Sequence, residues 1–123
     1  MEYLHRGNLL LKCSKFEEAQ TNYEMFENTC KVASESGSSI ATTDNLYKLY
    51  CNRSAAELGL LNIQGAIEYA ERAVQILPEK PLAYYRLAIA RYNANLIEDC
   101  LVACEIGLTI ANNNPVNIIL ASF

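Results

Sequence analysis

Apolar side chains recur at helical spacing along most of the 123-residue chain, and polar breaks separate the periodic segments. The pattern predicts six helices, at about 2–13, 16–30, 43–59, 63–77, 81–94 and 97–111. Pro78 ends the fourth helix. Pro81 suits the first turn of the fifth, because a proline there lacks only an N–H that would have no intrahelical partner. The chain is therefore expected to be all-α.

Two segments interrupt the helical pattern. Residues 31–43 are polar and rich in Ser, Thr and Gly, which predicts a loop. Thr43, Asp44 and Asn45 then offer side chains that can cap the third helix. Residues 115–123 form a short apolar segment after Pro115, and we interpret it as the start of a capping helix. On this interpretation the chain is part of a longer protein, or the segment docks on a neighbouring molecule.

One spacing pattern occurs three times, which predicts three similar helical hairpins. The second and third copies are 34 residues apart, and the first interval is longer because it contains the loop. Small residues in each copy are expected to let the two helices of a hairpin approach closely. The copies are Tyr3, Gly7, Phe16, Ala19 and Phe26; Tyr50, Ser54, Ile63, Ala66 and Ala73; and Tyr84, Ala88, Ile97, Cys100 and Gly107.

A period of 34 residues is typical of tetratricopeptide repeats, helix–turn–helix units that stack into a superhelix with a concave binding face. The chain resembles this family over nearly its whole length. The resemblance implies one domain over residues 1–123, with repeats at about 2–31, 44–78 and 81–112. The loop at 31–43 and a capping-helix stub at 115–123 complete this expected three-repeat superhelix.

Composition narrows the possible partners. The net charge of −4 argues against nucleic acid or an anionic membrane as the main partner. No apolar run approaches the roughly 18 residues of a membrane helix. The first residues lack a signal-peptide layout, so we predict a cytoplasmic protein.

The chain offers little for catalysis or metal binding. It has no Gly-rich phosphate loop, no Ser–His–Asp set and no recognisable site with paired carboxylates, so we predict that it is not an enzyme. The five cysteines are interpreted as small buried thiols. We expect no metal and no cofactor, because the single histidine, His5, lies far along the chain from the Cys100 and Cys104 pair.

Three short motifs narrow the resemblance to the three-repeat type found in chaperone co-factors. They are the Gly7-Asn8 pair, the segment 49–56 with Asn52, and the segment 82–86 ending in Arg86. Members of that type hold the Glu-Glu-Val-Asp tail of heat-shock chaperones in a carboxylate clamp of two lysines, two asparagines and a further basic residue. The resemblance places Asn8, Asn52 and Arg86 on three clamp positions. Leu4 and Leu82 stand where the two clamp lysines would be.

Helical spacing alone, apart from the resemblance, predicts that the clamp-position residues share one surface. Residues four apart lie on one helix face, which pairs Leu4 with Asn8 and Leu82 with Arg86. If the first helix of each hairpin lines a groove, amides and cations gather there and suit an anionic or C-terminal peptide. Lys48 would partly replace the missing charge. The expected peptide-binding residues are Asn8, Asn52, Arg86, Lys48, Lys12, Leu4, Leu82 and Tyr85.

Other interpretations stay open. The two asparagines could instead satisfy backbone groups between helices, and Arg86 could pair with a surface acid. Leu4, Leu82 and Tyr85 make the expected groove more apolar, which favours a different, more apolar partner. The chain could also be the interaction domain of a larger enzyme.

Overall fold

The computed structural model describes residues 1–37 and 42–113. These ranges contain six α-helices and no strand, which confirms the predicted all-α fold class and is consistent with a helical-repeat superhelix. The predicted capping segment at 115–123 lies outside the described residues. The helices are α1 (Glu2–Lys12), α2 (Phe16–Glu35), α3 (Thr43–Gly59), α4 (Ile63–Ile76), α5 (Leu82–Asn93) and α6 (Ile97–Asn112).

Helix α2 differs most from its predicted bounds. It continues to Glu35, five residues past the expected end at Cys30, so the first part of the predicted loop is helical. The reason is that the buried face of the helix continues as well: Phe26, Cys30 and Ala33 follow at helical spacing, and all three are buried. The prediction relied on the polar composition of this segment and overlooked Ala33.

The same tight turn joins the two helices of each hairpin. Ser14, Leu61 and Asn95 each have a positive φ of 60–63°. In every case the N–H of the next residue donates to the carbonyl five residues before it, at 2.9 Å, which is the bonding of a Schellman motif. These turns stand 47 and 34 residues apart, the same intervals as the repeated small residues. The structural repeat therefore follows the sequence repeat.

Small residues allow the close packing within the hairpins. A Cβ added at Gly7 would lie 2.5 Å from the ring of Tyr23, which is fully buried on α2. In the second hairpin, the hydroxyl of Ser54 donates to the carbonyl of Ala66 at 2.7 Å. The core continues through three clusters along the stack of helices. None of the helices in the described ranges has the length and apolar character needed to cross a bilayer.

Only two of the five cysteines are buried, which corrects the expectation that all five are buried thiols. Cys30 and Cys51 are buried, Cys100 and Cys104 are half-buried, and Cys13 is exposed. Burial raises the pKa of the Cys51 thiol to about 11, so this group remains protonated at neutral pH.

A polar network centred on Arg53 connects α2, α3 and α4. The Arg53 side chain is only 7% exposed and pairs with the Glu27 carboxylate on α2. Its Nε donates to Gln20 at 3.2 Å, and its guanidinium lies 4.5 Å from the centre of the Tyr69 ring on α4. Gln20 in turn donates to Glu57 at 2.6 Å. Directional bonds therefore link the first hairpin to the second.

We expect Arg53→Met to lower the free energy of unfolding by about 2–4 kcal/mol, because it leaves the Glu27 carboxylate partly buried without its cation. Urea unfolding of the variant and the wild type measures the difference. Arg72→Met is the matched control, since Arg72 is exposed and lies over the same Tyr69 ring. Equal effects of the two substitutions would contradict a special role for Arg53.

We also expect Gly7→Ala to lower the free energy of unfolding by about 1–2 kcal/mol, because the overpacking outweighs the gain in helix propensity. In a Tyr23→Leu background the same substitution should cost less, because the ring that the new Cβ would meet is gone. A double-mutant cycle measured by urea unfolding gives the coupling. A cost independent of the residue at position 23 would contradict this packing.

Candidate functional site

The first helices of the three hairpins lie side by side. Helix α3 contacts α1 on one side and α5 on the other, so α1, α3 and α5 form one continuous face. The residues that the sequence predicts for the groove lie on these helices, although not all of them are exposed. The face is built from three different hairpins, and its geometry therefore depends on how the hairpins stack.

Two asparagines meet at the centre of this face. The Nδ2 of Asn52 donates to the Oδ1 of Asn8 at 2.8 Å, although the two residues are 44 positions apart. The same oxygen accepts a second hydrogen bond, at 2.9 Å, from the hydroxyl of Tyr23. Both asparagines are half-buried, so their remaining groups can reach a ligand.

The hydrogen bonds of Asn8 and Asn52 determine which of their amide groups remain available to a ligand. Because the Asn8 oxygen already accepts two hydrogen bonds, its N–H groups are the part left for a ligand. Within residues 1–37 and 42–113, no protein acceptor takes these N–H groups. Asn52 retains one more N–H in the same way. The pair therefore favours a ligand atom that accepts hydrogen bonds.

Arg86 on α5 lies within electrostatic range of Tyr23, whose hydroxyl bonds to Asn8. Burial raises the pKa of the Tyr23 phenol to about 12, and the positive charge of Arg86 acts against that rise. Arg86 also acts on the Cys51 thiol, which is next to Asn52 in the chain. Its Nε is buried and, among the described residues, has no hydrogen-bond partner. A buried donor of this kind can be satisfied by an incoming acceptor.

A cavity of about 280 Å³ lies beside Arg86, near the low end of the roughly 300–1,000 Å³ of ligand pockets. Its walls are mostly apolar and come from the start of α2, the end of α3 and α5. An apolar group bound here would lie next to a guanidinium. The lining residues are Phe16, Ser54, Ala55, Leu58, Gly59, Arg86 and Ile89.

The other expected site residues differ in their exposure to solvent. Lys12, Lys48 and Leu82 are exposed, and each is one helical turn from Asn8, Asn52 or Arg86 on its own helix. These three side chains are two cations and one apolar group, all open to solvent. Their contribution to a peptide-binding groove stays a prediction.

Leu4 is placed differently from the expectation. It is only 2% exposed and packs in the core cluster with Tyr23, Phe26 and Leu49. Leu4 is buried although it lies one turn from Asn8 on α1. Leu4 therefore fills the core and does not contribute to the exposed surface.

Tyr85 also belongs to the packing inside a hairpin. A Cβ added at Gly107 on α6 would come within 2.9 Å of the Tyr85 ring, so this ring lies against α6. Its hydroxyl is buried and lacks a hydrogen-bond partner within the described parts of the chain. The residue is half-buried and stands next to Arg86, but its ring is directed at the neighbouring helix.

Sequence reasoning missed Tyr23. The repeat spacing itself contains the signal, because the equivalent positions in the second and third hairpins are Ala70 and Cys104. A tyrosine where the other hairpins have small residues indicates a specific role for its ring or hydroxyl. Comparison of the three repeats with one another would have identified it.

Comparison with known proteins gives one distant relative. No family model matches the chain. The chain is 32% identical, over 94 residues, to the Hsp70/Hsp90 co-chaperone CNS1 of Saccharomyces cerevisiae. The similar region covers 76% of this chain but only 22% of that protein, so the chain spans about a fifth of its relative. The chain is thus a distant relative of a co-chaperone through this region.

Proposed function

We propose that this chain is a tetratricopeptide-type interaction module that binds a peptide on the face formed by α1, α3 and α5. The ligand is the acidic C-terminal tail of a heat-shock chaperone, which makes the chain a co-chaperone or adaptor domain in the cytoplasm. The observation that carries the proposal is the hydrogen bond between Asn52 and Asn8, with the positive charge of Arg86 in electrostatic range of the Tyr23 hydroxyl that also bonds to Asn8. The name of the distant relative, a co-chaperone for two chaperone classes, supports this partner.

The chemistry of the central residues suits a carboxylate. Amide N–H groups donate to an anion without the cost of burying a charge of their own. A guanidinium adds a planar pair of donors that matches the two oxygens of a carboxylate. Lys12 and Lys48 are exposed on either side and would attract an acidic segment towards the face, although the chain as a whole is acidic.

The two leucines change the ligand that fits best. Leu4 is buried, so no cation could be placed there without disrupting the core. Leu82 is 44% exposed and offers apolar contact where the clamp resemblance implies a lysine. The apolar cavity beside Arg86 extends this character. A tail that combines a terminal carboxylate with nearby apolar side chains therefore fits the face better than a purely acidic one.

We expect Arg86→Ala to weaken binding of a Glu-Glu-Val-Asp-ended peptide by roughly 10- to 100-fold, because it removes a charge-assisted hydrogen bond of about 1.5–3 kcal/mol. Asn52→Ala should weaken binding as well. Isothermal titration at two salt concentrations measures both effects, and wild-type binding should weaken as salt rises.

Arg91→Ala is the control for Arg86→Ala. Arg91 lies on the same helix, but its guanidinium donates to the carbonyl of Asp99 at the start of α6. Its removal changes the net charge equally and should leave peptide affinity unchanged. Absence of wild-type binding at high micromolar peptide would overturn the proposed ligand.

The exposed apolar side chains of α5 favour a second candidate. Leu82, Ile89 and Tyr92 are 44%, 45% and 63% exposed and follow one another along the helix at positions 82, 89 and 92. A partner with a more apolar segment would cover this strip and use Arg86 only as a peripheral contact. In that case the chain is a scaffold for a different peptide or for a whole domain.

Leu82→Lys distinguishes the two candidates because it has opposite effects on them. It should strengthen binding of the acidic tail by up to about fivefold, the size of an exposed ion pair. It should weaken binding of an apolar partner. Titration of the acidic peptide measures the change, with Leu101→Lys on the exposed side of α6 as the control. A weaker affinity of Leu82→Lys for the acidic peptide would support the second candidate.

A further inference from the structure

Tyr23 is the feature of this face that the proposed function leaves unexplained. Its side chain is fully buried among apolar residues, yet its hydroxyl reaches the polar centre of the face and donates to Asn8 at 2.9 Å. Gly7 makes this possible, because the Tyr23 ring occupies the space that a side chain at position 7 would need. The next residue along α1 is Asn8 itself.

We propose that Tyr23 is a positioning residue that holds the Asn8 amide with its oxygen inward and its N–H groups towards the ligand. The face then presents only donors, and it selects a peptide with a terminal carboxylate over the same peptide with a terminal amide. This inference rests on the proposed function and adds the determinant of its selectivity.

The donors and acceptors around Asn8 favour one orientation of its amide. The Asn8 and Asn52 amides could also bond to each other with both amides turned over, so that Asn52 accepts and Asn8 donates. The Tyr23 oxygen could accept from the turned Asn8, but its own O–H would then lose its acceptor. The structure provides no other acceptor for this hydroxyl among the described residues. The turned arrangement therefore leaves a buried donor unpaired.

The cost of leaving the Tyr23 hydroxyl unpaired sets the expected selectivity for the carboxylate-ended peptide. An unpaired buried donor disfavours the turned arrangement by roughly five- to 150-fold. Without the hydroxyl the two arrangements become similar in free energy, and the face can offer oxygens as well as N–H groups. Since the phenol has its pKa raised to about 12, it remains a donor throughout the neutral range.

Tyr23→Phe tests the inference, because it keeps the ring and removes only the hydroxyl. The probes are two synthetic peptides that end in Glu-Glu-Val-Asp, one with a free terminal carboxylate and one with a terminal amide. The wild type should bind the first at least tenfold more tightly. In Tyr23→Phe this ratio should fall at least threefold. A purely structural role for Tyr23 would weaken both affinities together and leave the ratio unchanged.

Tyr47→Phe is the matched control. Tyr47 is also a buried tyrosine, and its hydroxyl accepts from the backbone N–H of Ala83 at 3.0 Å and makes no hydrogen bond to Asn8 or Asn52. Its loss removes a comparable buried hydrogen bond and should leave the ratio between the two peptides unchanged. If Tyr23→Phe fails to fold, Asn8→Asp replaces it, because this variant directs an oxygen outward whatever Tyr23 does. Asn8→Asp should lose the preference for the carboxylate, and retention of the preference would overturn the inference.

A measurement without peptide separates this inference from the proposed function. The side-chain amide signals of Asn8 and Asn52 in NMR spectra should shift or broaden in Tyr23→Phe and not in Tyr47→Phe. Unchanged signals in Tyr23→Phe would overturn the positioning role even if the wild type binds peptide. If the wild type binds neither peptide, the proposed function fails, and the amide signals alone decide the role of Tyr23.

Discussion

The close approach of α2 to α1 at Gly7 is the constraint on which the candidate site depends. Because position 7 has no side chain, the Tyr23 ring lies directly against α1 and its hydroxyl reaches Asn8. Asn8 in turn accepts from Asn52 of the next hairpin. The packing of Tyr23 on Gly7 inside the first hairpin therefore supports the hydrogen bond between Asn8 and Asn52, which joins the first two hairpins. The face formed by α1, α3 and α5 gains a defined centre from this chain of contacts.

Directional bonds fix the junction between the first two hairpins. Apolar contact holds α2 and α3 together, but it tolerates small shifts of one helix along the other. The Arg53 network and the Asn8–Asn52 contact do not tolerate such shifts, since each requires particular atoms within hydrogen-bond distance. Together they fix the stacking of the first hairpin on the second, from which the position of Asn8 relative to Asn52 follows.

The sequence predicted the features that depend on periodicity and missed those that depend on which neighbour covers a residue. The six helices and the spacing of the small residues follow from local patterns. Helical spacing also placed Leu4 beside Asn8, but it could not show that Leu4 packs in the core with Tyr23 and Phe26. The same limit applies to Tyr85, whose ring packs against Gly107 of α6. The partners of Arg53 lie in other helices, so its network has no local signal in the sequence.

For the peptide binding that we propose, burial of Leu4 and exposure of Leu82 decide which side chains the ligand can meet. A cation at position 4 is incompatible with the core, whereas position 82 is open to solvent. The charge that a carboxylate meets therefore comes mainly from Arg86, and most of the remaining donors are uncharged amides. Neutral donors are less sensitive to salt than ion pairs and give less long-range attraction. Affinity must then depend more on apolar contact beside Arg86, so the apolar residues next to a ligand's carboxylate determine its fit as much as its acidity does.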